Sequence, residues 1–160
     1  MKIIAASYLY NPGSPPIEGG GVAVRNGRIV AVGTVRDLQA GHQWVVEEHP
    51  GCVLMPGMVN AHTHLELTHF PSWKIRKGLD YMPRQYVDWI VQVIKICRAL
   101  SREELLHSLE EGVRISVAAG TTSVGDVLSN LSILSEYLRL RLNGRVFLEG
   151  IGHDPVKCKA

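Results

Sequence analysis

The chain is 160 residues long, 46% hydrophobic and 20% charged, with a formal net charge of +2 at pH 7. That balance excludes a disordered chain, which needs low hydrophobicity and high net charge, and the length allows a substantial core. Scattered lysines and arginines give no electrostatic argument for nucleic acid or an anionic membrane as partner, and no apolar run is long enough to span a bilayer.

Lys2 to Tyr10 reads as a strand rich in β-branched and aromatic residues, closed by the turn Asn11-Pro12-Gly13-Ser14-Pro15-Pro16. Its apolar core behind Lys2 imitates a signal peptide, but no cleavage site follows. Asn26-Gly27 between two alternating apolar runs signals a hairpin with a type I′ turn. Thr34 to Gln39 reads as a brief helical turn stopped by Gly41, and Trp44 to Glu47 and Gly51 to Leu54 as two short strands. Pro56-Gly57 then punctuates the chain, and its character changes.

Met58 to Ala61 is a short apolar strand. Lys74, Arg76 and Lys77 read as a solvated loop. From Pro83 to Leu100, apolar residues recur at helical spacing through Val87, Ile90, Val91, Ile94 and Cys97. Ser101 with Glu104 three residues later is a capping box, opening a helix that runs to about Ala119 and stops at Gly120. Thr121 to Val127 is a strand, Asn130 to Leu142 a helical stretch ended by Asn143-Gly144, and Arg145 to Ile151 a third strand. Strand alternating with helix defines an α/β fold with a parallel sheet. No internal repeat or low-complexity segment interrupts it.

Cys52, Cys97 and Cys158 are odd in number and include no Cys-x-x-Cys pair. They argue against a disulfide framework and predict a reducing, cytoplasmic setting. Cys52 and Cys97 have apolar neighbours and read as core fillers.

The string Met55-Pro56-Gly57-Met58-Val59-Asn60-Ala61-His62-Thr63-His64-Leu65-Glu66 carries the chemistry. Residues two apart on a strand share a face, so His62 and His64 converge, and imidazole nitrogen suits zinc-type ions. Alone, His-x-His is a common chance pair. In this context it resembles the metal-binding signature of the amidohydrolase superfamily, in the branch of cytosine deaminase-like enzymes, adenosine-type deaminases and triazine chlorohydrolases. Gly120-Thr121-Thr122-Ser123-Val124-Gly125-Asp126 resembles that branch's second barrel strand, and Val22 to Gly33 its N-terminal β-domain.

The resemblance implies a small β-domain over residues 1–54, part of a composite β-sandwich. Residues 55–160 then form the first three units of a (β/α)8 barrel. It makes His62 and His64 ligands of a divalent metal, zinc foremost and iron as the alternative. Glu66 and His69 follow in the loop above and are candidate substrate contacts, set against a reading as solvated loop residues. Asp126 caps the next helix or bonds within the site, the structural role being favoured. His153-Asp154 tempts as a further ligand, but the family pattern places none there. The implied reaction is hydrolysis of a non-peptide C–N bond, with a metal-bound hydroxide deaminating an aminated heterocycle or nucleoside. Glu66-Leu67-Thr68, Trp89 and Gly125-Asp126 resemble deaminases of aminated purine nucleosides.

In the family the remaining ligands and the acid/base group lie on later strands, so the catalytic acid and base are expected beyond Ala160. A barrel takes typically about 250 residues, and only about 100 follow the β-domain. The chain therefore reads as an incomplete fragment, inactive by itself. Its expected partners are a small-molecule substrate and a second copy or the missing C-terminal part, with neither nucleic acid nor membrane. One alternative is a non-catalytic amidohydrolase-like protein serving as an oligomerisation or binding module. Another is a stable β-domain with a disordered remainder.

Overall fold

A computed structural model describes residues 1–78, 85–140 and 142–150. It divides into two compact units, Met1–Pro56 and Gly57–Ala160.

In the first unit, β1 (Lys2–Leu9) is central. It pairs antiparallel with β2 (Ile17–Glu18) and β3 (Gly20–Arg25), and parallel with β5 (Val45–Leu54). β3 continues antiparallel into β4 (Arg28–Thr34). The tip of that hairpin is the two-residue loop Asn26-Gly27, with φ of 52° and 73°. Both positive angles belong to a type I′ turn, whose twist matches that of the flanking strands. Replacing Gly27 with Val is expected to destabilise the unit by about 1 kcal/mol, since a β-branched residue resists positive φ. Chemical denaturation measures it. Thr34 caps the short helix α1 (Val35–Gln39), its Oγ1 accepting the Asp37 N–H at 3.1 Å. Ile3, Ala5, Ala23 and Leu38 form the core.

Two expectations fail in this unit. The two strands expected around Pro50-Gly51 are one ten-residue strand, β5. Its register against β1 shifts between Ala6 and Tyr8. Gly51 absorbs the irregularity at φ 74° and donates its N–H to Ser7 Oγ at 2.8 Å, and Pro50 is tolerated because β5 pairs on one side only. Cys52 is exposed rather than a core filler, as are Gly51 and Val53 on either side of it.

The second unit is built on a parallel sheet in the order β6 (Met58–Thr63), β7 (Thr121–Leu128), β8 (Asn143–Leu148). Between β6 and β7 run a 3₁₀ turn at Leu65–Leu67 and helices α2 (Phe70–Arg76), α3 (Tyr86–Arg98) and α4 (Arg102–Ala118). The capping box forms as expected: Ser101 Oγ accepts the Glu104 N–H, and Glu104 Oε2 accepts the Ser101 N–H. Leu105, Ser108, Leu109 and Gly112 make the buried stripe of α4. Burying Leu105 and Leu109 contributes about 1.5–3 kcal/mol each. They join Leu65, Trp73, Ile96, Val124, Leu128, Ile133 and Tyr137 in the core.

The stretch expected as a solvated loop around Lys74, Arg76 and Lys77 is instead the end of α2. Trp73 buries itself in the core there, and Arg76 pairs with Glu104 at the start of α4. The single helix expected over Asn130–Leu142 is a 3₁₀ turn at Leu131–Ile133 followed by α5 (Leu134–Tyr137). Asn130 accepts the Ser132 N–H at 3.0 Å and tightens that first turn. Asn143-Gly144 opens β8 rather than ending a helix, and β8 stops at Leu148, short of the expected Ile151. Pro83, Arg141, Ile151, His153-Asp154, Cys158 and the chain end lie outside the described residues. Among the described residues, no helix is long and apolar enough to cross a membrane.

Candidate functional site

The carboxyl ends of β6, β7 and β8 share one edge of the parallel sheet, where open α/β sheets bind their ligands. Thr63 of β6 lies beside Asp126 of β7. Asp126 is fully buried, and its Oδ1 accepts the Leu65 N–H at 2.8 Å. It therefore caps the turn following His64 rather than a helix of its own. That turn sends Glu66 inward, where 1% of it stays exposed. Glu66 Oε1 accepts the Ser129 N–H at 2.8 Å just past the end of β7. Ser129 Oγ in turn donates to Glu149 Oε2 at 2.7 Å, just past β8. On the other side α4 presses close. A Cβ on Gly112 would come within 2.4 Å of Thr68 Oγ1 and 2.9 Å of the Leu65 carbonyl, so only glycine lets the helix approach this turn.

His62 and His64 follow each other at the end of β6, with ring centres 5.2 Å apart and planes at 73°. His64 Nδ1 is buried without a hydrogen-bond partner, and so is Glu66 Oε2. Both histidines and Glu66 line a cavity of about 510 Å³ together with Ser129, Asn130 and Glu149. Its far wall is α3, which contributes Tyr86, Trp89, Ile90, Val93, Ile94, Cys97 and Arg98, one stripe at helical spacing. Tyr86 and Trp89 stack at a tilt, 5.7 Å between ring centres.

The histidine pair fits a metal. With zinc–nitrogen bonds of about 2.0–2.1 Å, two imidazoles on one tetrahedral ion have ring centres roughly 5 Å apart. Among the described residues, no group of three or more His, Cys, Asp or Glu side chains is placed to hold an ion.

Burial holds the Glu66 and Asp126 carboxyls above their ordinary values, against the pull of the backbone N–H groups that bond them. Burial, then the charge of Glu66, pushes the Cys97 thiol up to about 11, which removes it as a thiolate nucleophile at neutral pH. A carboxyl with a raised folded pKa disfavours ionisation in the folded state. Its contribution therefore falls as pH rises from the ordinary value of 4.5 through the folded one. Glu66→Gln is expected to gain stability relative to the parent across that interval and to level off above it. Paired urea titrations from pH 4 upward test this; a gap that shrinks with rising pH contradicts it.

The structure brings His62, His64 and Glu66 together and sets His69 elsewhere. The 3₁₀ turn carries the chain away, and His69 begins α2 in a separate cleft with Trp73 and His107. Ser129, Asn130, Glu149 and Tyr86 were not singled out from sequence. The first three directly follow β7 and β8, so the rule that placed the histidines at a strand end would have found them.

Imidazoles and buried carboxyls gather at the carboxyl ends of the parallel strands. The pattern of an imidazolonepropionase-like composite domain of bacteria matches residues 20–42. Over 158 residues the chain is 25% identical to aminodeoxyfutalosine deaminase of Deinococcus radiodurans, covering 98% of this chain and 35% of that enzyme. Helicobacter pylori aminofutalosine deaminase, in complex with methylthio-coformycin, superposes with a TM-score of 0.74 at 25% identity, over 99% of this chain and 38% of that one. An adenosine deaminase from Xanthomonas campestris with bound zinc gives a TM-score of 0.61 at 24% identity, over 89% and 32%. The chain belongs to the amidohydrolase superfamily, whose named members here are enzymes. It spans about a third of the length of these relatives.

Proposed function

We propose that this chain is part of a metal-dependent amidohydrolase that deaminates an aminated heterocycle of the purine-nucleoside kind by hydrolysis. The observation that carries this is the His62–His64 pair beside the buried Glu66 at the carboxyl ends of parallel strands. On this reading residues 1–54 are the small β-domain, and β6, β7 and β8 are the first three strands of a (β/α)8 barrel.

His62 and His64 hold a divalent ion, zinc or iron. Such an ion, when bound, activates water and polarises the group under attack. Asp126 fixes the turn that aims His64 and Glu66. Glu66 offers a buried carboxyl whose Oε2 has no partner of its own, able to hydrogen-bond the heterocycle. Tyr86 and Trp89 give the cavity an aromatic wall for a flat ring. His69 has no part in this reading.

The test is ammonia release from a panel of aminopurine nucleosides, cytosine-like bases and triazines. It uses a protein of the relatives' length that carries this segment, beside the 160-residue chain. Turnover by the longer protein and none by the shorter is expected. Failure of the longer, folded and metal-loaded protein on every aminated substrate would overturn the reading.

A further inference from the structure

Among the described residues, two buried polar atoms without a partner are complementary: His64 Nδ1 and Asp126 Oδ2. An imidazole nitrogen that carries the ring's proton donates, and a carboxylate oxygen accepts. The chain is held against Asp126 on both sides of His64. Thr63 is the strand partner of Asp126 in the pairing of β6 with β7, and the Leu65 N–H donates to Asp126 Oδ1 at 2.8 Å. His64 lies between those two ties, close enough for its charge to act on the Asp126 carboxyl. Glu66 Oε2 is orphaned too, but Glu66 lines the cavity, where a ligand can reach it. Asp126 is fully buried and is not among the described residues that line that cavity, so its free oxygen is out of a substrate's reach. The hydroxyl of Tyr137 on α5 is the other donor beside it, and no hydrogen bond joins that hydroxyl to Oδ2 in the structure.

We propose that Asp126 is a positioning residue for His64, its Oδ2 accepting the Nδ1 proton so that Nε2 presents its lone pair to the cavity. The hydrogen bond at one ring nitrogen decides which nitrogen of a neutral imidazole keeps its lone pair. His64 turns in its socket to close the bond, since the two atoms are unpaired as they stand. What the lone pair serves rests on the reading of His64 as a metal ligand; a carboxylate behind such a histidine fixes its tautomer and raises its basicity. Asp126 then has two tasks. Oδ1 holds the turn through Leu65, and Oδ2 sets the ring.

Asp126→Asn separates the two. Its amide oxygen keeps the bond to the Leu65 N–H, while its NH2 group faces His64 as a donor and makes Nδ1 the acceptor. The ring's proton then sits on Nε2, the nitrogen that has to stay free. Long-range proton–nitrogen NMR correlations at alkaline pH, where imidazole is neutral, read this in the metal-free 160-residue chain. In the parent, the His64 form with its proton on Nδ1 should outweigh the other at least about tenfold, as a hydrogen bond to a charged group allows. The preference should reverse in Asp126→Asn, with urea unfolding confirming that the variant is folded. Tyr137→Phe should leave the proton where it is. In a protein of the relatives' length that carries this segment, Asp126→Asn should also weaken zinc binding at least about tenfold, the loss typical of removing such a partner. A His64 proton found on Nε2 in the unsubstituted chain would overturn the inference, whether or not the variant folds. So would a folded Asp126→Asn chain with an unchanged ring. A longer parent protein that binds no zinc would instead contradict the function proposed above, and the ring's tautomer would still decide this inference.

Discussion

Replacing His62 or His64 with Ala, in a protein of the relatives' length that carries this segment, is expected to lower deamination at least a thousandfold. That is about 4 kcal/mol of barrier at roughly 1.4 kcal/mol per decade. The reason lies in coordination: a catalytic ion has typically three protein ligands, and losing one frees the ion or misdirects it. His62 is exposed at the end of β6, so His62→Ala should leave thermal stability within about 0.5 kcal/mol of the parent, as surface changes usually do. The double variant should be scarcely worse than either single one, because ligands of one ion act as a unit. Ammonia release and bound-metal content, measured on the same preparations, check the effect. Retained activity with both histidines replaced would show that the chemistry lies elsewhere.

The second large effect is on the fold. Asp126→Ala removes the acceptor of the buried Leu65 N–H, and that donor has no route to water. An orphaned buried donor costs about 1–3 kcal/mol, and the space left by the carboxyl adds to it. Urea unfolding of the 160-residue chain should show a loss of about 2–3 kcal/mol. Asp126→Asn keeps an acceptor in place and should recover most of it. Equal losses in the two variants would mean that packing alone, not the bond to Leu65, gives Asp126 its weight.

Features decided by neighbours along the chain were legible from sequence. The Asn26-Gly27 turn is fixed by two residues whose φ the hairpin demands. The capping box at Ser101 and Glu104 is a local exchange of hydrogen bonds. His62 and His64 meet because strand geometry brings residues two apart to one face, whatever surrounds them. Features decided across the chain were not. Glu66 faces inward because Ser129, 63 positions later, donates to it, and no local pattern encodes that. The course of α2 depends on Trp73 finding the core, which outweighs the basic, loop-like look of Lys74, Arg76 and Lys77. β5 stays whole through Pro50-Gly51 because β1 supplies a partner on either side of the irregularity. His69 looked close to the histidine pair in sequence, yet a single 3₁₀ turn separates it into another cleft.

The central claim is that the residues gathered at the carboxyl ends of β6, β7 and β8 serve hydrolytic deamination. Its most direct test supplies an aminopurine nucleoside, in water enriched in oxygen-18, to a metal-loaded protein of the relatives' length that carries this segment. Mass spectrometry follows the product while ammonia is counted. The account predicts one ammonia released per product, with one labelled oxygen where the amino group was. An aminopurine nucleoside returned unchanged, or ammonia released without oxygen uptake from water, would contradict it.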